Sequence, residues 1–201
     1  DLILVLEEGR IVERGAHDVR PDVAGEPRGV LGEERLIGRG VSYCATCDGP
    51  LFKDKIVAVI GGGNTAATEA LFLAKFAQTV YLIHRRDKLR ATKILEEQMI
   101  KTKKIKFVLN TVVTEIIGKD RALALKLKKV GSQKEKILDC NGIFVFVGLK
   151  PNTKFLDGFV NLDNQGYIIV DEQLQTSRAG IFAAGDCRPK SLRQVVTACA
   201  D

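Results

Sequence analysis

Ile56-Val57-Ala58-Val59-Ile60-Gly61-Gly62-Gly63-Asn64-Thr65-Ala66 is the stretch that decides the fold. The apolar run 56–60 reads as a short buried strand. Three glycines then turn the chain, and 64–76 reads as a helix with Ala67, Ala70, Leu71, Leu73 and Ala74 on a broad apolar face. Residues 79–83, TVYLI, form a second strand. Strand, glycine turn, helix and strand at this spacing make a βαβ unit of a parallel sheet.

The turn fits G-x-G-x-x-A, a pattern with meaning only between a strand and a helix, which is its setting here. Gly61 allows the tight turn, Gly63 lets the backbone approach a pyrophosphate, and Ala66 is small enough for close helix–strand packing. The helix start at Asn64 and Thr65 then offers backbone N–H groups to the anion. The plainer alternative is a glycine-rich turn with no ligand. At the end of the second strand, where an NAD site places an acid for the ribose hydroxyl, stands His84-Arg85-Arg86, with Arg90 four residues after Arg86. Guanidinium groups there suit a 2′-phosphate and favour NADPH over NADH, unless they are only surface arginines.

Cys44-Ala45-Thr46-Cys47-Asp48-Gly49 is the second constellation. A zinc site needs about four ligands, and the chain has two histidines and no second C-x-x-C. A redox disulfide suits the spacing better. Asp48 is placed to shuttle a proton in dithiol–disulfide exchange, or is simply a turn residue before Gly49-Pro50. The remaining cysteines, Cys140, Cys187 and Cys199, make no secreted disulfide framework. A reducing, cytoplasmic compartment is expected.

Farther along, 92–101 reads as a helix, and 105–109, 112–117, 122–128 and 142–147 as strands. Residues 131–136 read as a polar hairpin loop, with further strands at 167–170 and 181–184. Composition is that of a globular protein, with 45% hydrophobic and 28% charged residues in 201. No apolar run is long enough for a membrane span. The net charge of +6 collects at Lys101, Lys103, Lys104, Lys106, Lys126, Lys128 and Lys129. No nucleic-acid motif accompanies it, so solvated helix and strand edges are expected and no nucleic-acid partner. The chain opens on Asp1, and its native start is expected to be missing.

YCATCDG at 43–49, GGGNTA at 61–66, HRRDKLRA at 84–91, GIFAAGD at 180–186 and RQVVTA at 193–198 occur in the order found in low-molecular-weight thioredoxin reductases. The chain resembles that family over roughly 25–201. The resemblance implies an α/β flavoprotein, homodimeric, with a Rossmann-like NADPH-binding domain inserted in an FAD-binding domain. NADPH would reduce FAD, FAD the Cys44–Cys47 disulfide, and the dithiol thioredoxin. It implies Asp48 as the acid of that exchange, and Gly61, Gly63 and Ala66 as the pyrophosphate loop. His84, Arg85, Arg86 and Arg90 would lie near the 2′-phosphate. Gly185 and Asp186 would hold the FAD ribityl and phosphate region, and Arg193, Gln194 and Val195 would border the flavin ring.

The expected domains are 1–25 as an atypical segment or partial edge of the FAD domain, 26–150 for NADPH with the redox C-x-x-C, and 151–201 as the returning part of the FAD domain. The family's N-terminal FAD loop has no counterpart here. Residues 1–18 instead resemble the tail of an ABC-transporter ATPase domain, without a Walker motif. The chain is therefore expected to be a fragment with little activity of its own and with apolar surface uncovered around 181–184. The rival readings are a reductase serving a peroxiredoxin-type partner and an NADPH-binding module without turnover.

Overall fold

The computed structural model describes residues 2–7, 10–16, 30–148, 151–191, 193 and 195–201. The chain divides into two compact units, one of Asp1–Asp22 with Leu149–Asp201 and one of Val23–Gly148. In the first, β1 (Leu2–Glu7) and β2 (Arg10–Ala16) form an antiparallel hairpin whose register shifts between Val5 and Leu6.

The second unit begins with α1 (Glu33–Leu36), β3 (Val41–Ser42) and α2 (Ala45–Asp48), followed by a 3₁₀ turn over Gly49–Phe52. Then come β4 (Ile56–Gly61), α3 (Asn64–Leu73), β5 (Thr79–Ile83), α4 (Lys93–Lys101) and β6 (Ile105–Val108). An antiparallel sheet of β7 (Thr111–Ile117), β8 (Ala124–Lys129) and β9 (Glu135–Asp139) interrupts the progression, and β10 (Gly142–Phe146) resumes it. The parallel sheet runs in the order β3-β10-β4-β5-β6. From β4 the chain proceeds outward through β5 and β6, and β10 then returns to the other side of β4. The order thus reverses between β4 and β10, and the crevice beyond the carboxyl ends of two such strands is where open α/β sheets take ligands.

Alternation along the buried strands explains three layers. Val57 and Val59 of β4, Val80 and Leu82 of β5 and Phe144 of β10 pack with Ala66, Ala70 and Leu73 of α3 and Met99 of α4. Ala58, Ile83, Ile143 and Val145 point the other way, against Ile116, Leu125 and Leu127 of the antiparallel sheet. Both faces of the parallel sheet are covered, which is why its strands read as unbroken apolar runs. Each fully buried side chain such as Leu82 contributes about 1.5–3 kcal/mol. The opposite face of β8 is charged: Lys126 lies 3.8 Å from Glu115 and 3.2 Å from Glu135. Exposed pairs of this kind contribute about 0–1 kcal/mol.

Three expectations are corrected. The first helix stops at Leu73, because Lys75 and Phe76 turn back onto the carbonyls of Phe72 and Leu73 in tighter bonds. Residues 131–136 are not all loop, since β9 begins at Glu135 as a mostly exposed edge strand with no apolar alternation to announce it. Residues 167–170 and 181–184 are not strands. Only isolated bridges form, Leu162 with Ile168, Val170 with Thr176 and Gln175 with Phe182. The carboxylate of Asp163 accepts from the amides of Gln165 and Tyr167, and that of Asp171 from Gln173 and Gln175. Such Asx turns capture the Tyr167 amide, and Ile168, Ile169 and Ala183 donate to carbonyls of three separate segments, at Cys187, Asn161 and Leu174, so no continuous ladder forms. The expected apolar exposure at 181–184 is also reduced, because Ile181 and Ala183 are buried with Leu156, Val160 and Ile168, leaving Phe182 exposed.

The last elements of the chain are 3₁₀ turns at Lys154–Leu156 and Gly185–Cys187, then α5 (Val195–Cys199). Among the described residues no helix is long and apolar enough to cross a membrane.

Candidate functional site

The glycine turn sits at the carboxyl end of β4, where Gly61 pairs with Phe146 of β10 at the reversal of strand order. Gly61 has φ +152°, and a Cβ there would fall on the Phe146 carbonyl and within 2.8 Å of the Ala66 methyl. Only glycine fits that position. Gly62 is constrained from the other side, since a Cβ would collide with the His84 ring. Gly63 differs from both. Its φ is −93° and nothing lies within 4 Å of where its Cβ would point. It caps α3 without a side-chain bond, so the helix start at the exposed Asn64 and Thr65 opens onto that free space. Open space before a helix N-terminus suits a phosphate group.

The basic loop after β5 is fastened over this turn. The Arg90 amide donates to the Gly62 carbonyl at 2.6 Å, and the Thr92 amide donates to Asn64 Oδ1 at 2.9 Å. His84 is buried between turn and loop, and its Nε2 has no hydrogen-bond partner among the described residues. Burial first, then the charges of Arg90, Arg86 and Arg85, push its pKa below 6.5, so the imidazole is neutral at neutral pH. Arg85, Arg86 and Arg90 are exposed, and among the described residues no carboxylate pairs with them. The structure therefore brings together all the residues expected at a nucleotide site in this unit.

Cys44 and Cys47 are joined by a disulfide, with Cα atoms 5.3 Å apart. Short β3 delivers the pair: Ser42 Oγ accepts from the Cys44 amide at 3.1 Å, and the Cys47 amide donates to Cys44 Sγ at 3.1 Å, capping α2. Tyr43 is tethered by its hydroxyl, which donates to buried Glu33 at 2.7 Å. Cys44 is half-buried and Cys47 exposed. Asp48 is half-buried at the end of α2, its amide bonded to the Cys44 carbonyl at 3.1 Å. Of the other cysteines, Cys140 and Cys187 are buried and Cys199 is exposed. Among the described residues no three His, Cys, Asp or Glu side chains converge as a metal site.

One residue of this region escaped the sequence reading. Glu69 lies on the packed side of α3, its carboxyl near the amide of Ala45, the residue after Cys44. The available signal was an acid placed three residues after Ala66 and four before Leu73, inside an otherwise apolar stripe.

The remaining candidates lie in the other unit. Gly185 has φ +83°, and its amide donates to Asp201 Oδ2 at 2.6 Å. Asp201 also holds Arg188 and Lys190, and the Arg188 bond above all keeps its carboxyl well below the usual carboxylate range. Asp186 Oδ1 and Arg193 Nε are both out of water and without partners among the described residues, and the Arg193 guanidinium lies 4.8 Å from the centre of the Tyr167 ring. An unpaired buried acceptor and donor fit a polar ligand that would complete their bonds. Gln194 lies outside the described residues, as does the side chain of Val195.

A parallel sheet with a dinucleotide-type turn at its reversal point and a C-x-x-C disulfide in the same unit defines an α/β protein of Rossmann type carrying a closed cysteine pair. The model of the pyridine nucleotide-disulphide oxidoreductases matches residues 11–201, and the chain belongs to that family. It is 47% identical to a thioredoxin reductase of Listeria innocua over 174 residues, which are 86% of this chain and 54% of the relative. The crystal structure of thioredoxin reductase from Streptococcus pyogenes superposes with TM-score 0.78 at 42% identity, covering 88% of this chain and 58% of that one. Thioredoxin reductase from Giardia duodenalis gives TM-score 0.74 at 30% identity, covering all of this chain and 70% of that one. The chain spans about half the length of the curated relatives it matches.

Proposed function

We propose that this chain is the pyridine-nucleotide and disulfide part of an NADPH-dependent thioredoxin reductase, in which electrons pass from NADPH through FAD to Cys44–Cys47 and on to thioredoxin. The observation that carries the reading is the basic loop fastened over the glycine turn, in the same unit as the disulfide. In this reading 26–150 is the NADPH domain and 151–201 the returning part of the FAD domain. A homodimeric assembly and a cytoplasmic location go with it.

Each residue then has a task. Gly61 and Ala66 keep the turn tight, and Gly63 with the amides of Asn64 and Thr65 receives the pyrophosphate. Arg85, Arg86 and Arg90 bind the 2′-phosphate, and neutral His84 offers its unpaired Nε2 to the same ligand. Gly185, Asp186 and Arg193, with Gln194 and Val195, border the flavin. When bound, nicotinamide and flavin would supply the two-electron transfer that side chains alone cannot. Cys44 and Cys47 accept the electrons as their S–S bond opens, and Asp48 gives a proton to the departing sulfur.

Calorimetry with NADPH and NADH tests the nucleotide assignment. NADPH should bind more tightly to the wild-type chain. Arg85→Ala with Arg86→Ala should remove about 1.5–3 kcal/mol per lost charged contact for NADPH, with NADH affinity unchanged. Equal affinities in the wild type would overturn the preference. Thiol counting in graded dithiothreitol should show one two-electron couple, abolished by Cys47→Ser.

A further inference from the structure

α3 joins the two halves of the proposed chemistry. Its first residues follow the glycine turn, and its side packs on the helix of the disulfide: Ala45 is fully buried with Ala66, Ala70 and Leu73, and Gly49 sits against Leu73 and Phe72. Into this packed side α3 inserts one acid. Glu69 Oε2 is shut off from water and has no hydrogen-bond partner among the described residues. An ionised carboxylate in that position leaves a charged oxygen uncompensated, so the group takes up a proton more readily than an exposed carboxylate does. Burial accordingly raises its pKa above 4.5, and the Ala45 amide opposes this only in part.

We propose that Glu69 shares a proton with the reduced Cys44–Cys47 pair and so sets the pH at which that pair offers a thiolate. The proposal rests on the reading of Cys44–Cys47 as a working redox couple. Ala45 directly follows Cys44 and opens α2, so the carboxyl meets the buried end of the element that closes the disulfide. Titratable groups on the packed helices are Cys44, Cys47 and Asp48 at α2 and Lys93, Glu96, Glu97 and Lys101 on α4. While the disulfide is closed, the shift of Glu69 comes from burial, opposed by the Ala45 amide. Opening the disulfide changes that.

With dithiothreitol as reductant, its two sulfurs close to a disulfide and release two electrons and two protons. The Cys44–Cys47 bond breaks and takes the electrons. One proton stays on a sulfur, and the second is divided between the other sulfur and the Glu69 carboxylate. Two such neighbouring acids titrate as a pair, and an ionised Glu69 raises the thiol pKa by like-charge repulsion. Glu69 thus acts through the cysteines and is a positioning residue for their proton.

The test follows the rate at which iodoacetamide alkylates Cys44 and Cys47 as a function of pH, read by mass spectrometry on the reduced full chain. Glu69→Gln, which cannot ionise, should move the thiolate midpoint down by about one unit. That makes alkylation roughly tenfold faster below the midpoint. Glu69→Asp should move the profile back toward the wild type. A folded Glu69→Gln chain with a superimposable profile would overturn the proposal. Should that variant not fold, infrared difference spectra of the Asp48→Asn chain decide: a protonated-carboxyl band must grow on reduction, and its absence sinks the idea. A disulfide that fails to open and close reversibly in dithiothreitol defeats the redox reading and this inference together. A reversible couple with an unmoved profile defeats the inference alone.

Discussion

The sheet unit and the segment 151–201 spend similar apolar residues in different ways. In the sheet unit, Val57, Val59, Ile143 and Phe144 sit in continuous parallel ladders, and every one is buried. In 151–201, Ile168 and Ile181 are as deeply buried, yet their strands shrink to single bridges. The difference lies in who takes the backbone amides. Ladder carbonyls of one partner strand take them in the sheet, whereas in the later segment the Asp163 and Asp171 carboxylates take those of Gln165, Tyr167, Gln173 and Gln175, and Ile168, Ile169 and Ala183 donate to the scattered carbonyls of Cys187, Asn161 and Leu174. A hydrophobic pattern thus predicts burial in both regions but predicts strands only where successive amides share one partner strand instead of side chains and scattered carbonyls.

The largest effect that would break this contrast is at Gly61. Gly61→Val places a side chain on the Phe146 carbonyl at a positive φ, and should cost more than about 3 kcal/mol in urea unfolding. Hydrogen exchange should rise along β4 and β10 together, because the ladder is one cooperative element. Gly63→Ala is the internal control, since its Cβ enters open space. It should shift stability by less than about 0.5 kcal/mol while weakening NADPH binding. If both variants unfold alike, the distinction between a structural and a ligand-facing glycine is wrong.

A smaller effect sharpens the other side. Asp163→Ala removes the acceptor for the Gln165 and Tyr167 amides, and should cost about 1–2 kcal/mol. Exchange should accelerate at those two amides and leave Asp171 and its partners as they were. An effect spread through 151–191 would mean that these turns form one cooperative ladder after all.

The smallest effect compares the buried thiols, one in each unit. Burial, with Asp139 nearby, pushes Cys140 from 9.0 up to about 12, and burial also raises Cys187. A thiol kept protonated in the folded state stabilises fully below pH 9.0, and that contribution is lost as pH rises toward about 12. Between pH 8 and 10 the wild type should therefore lose about 1 kcal/mol more than Cys140→Ala. Exposed Cys199 should be alkylated first in the native chain. Equal pH slopes in the two proteins would show that Cys140 is not insulated.

The βαβ core and its glycine turn were readable in the sequence because both depend on neighbours within a few residues. Apolar periodicity and the steric needs of Gly61 and Ala66 act at short range, and so do the C-x-x-C spacing and the arginines after β5. Strand order, by contrast, was set only when β10 returned beside β4, since contacts distant in sequence leave no local mark. The same holds for the place of His84 against Gly62 and for the ties from Arg90 and Thr92 back to the turn. Glu69 is the clearest case. Its sequence position announces an acid on a helix, but only the packing of α2 on α3 removes water from its carboxyl, and desolvation is a property of the fold.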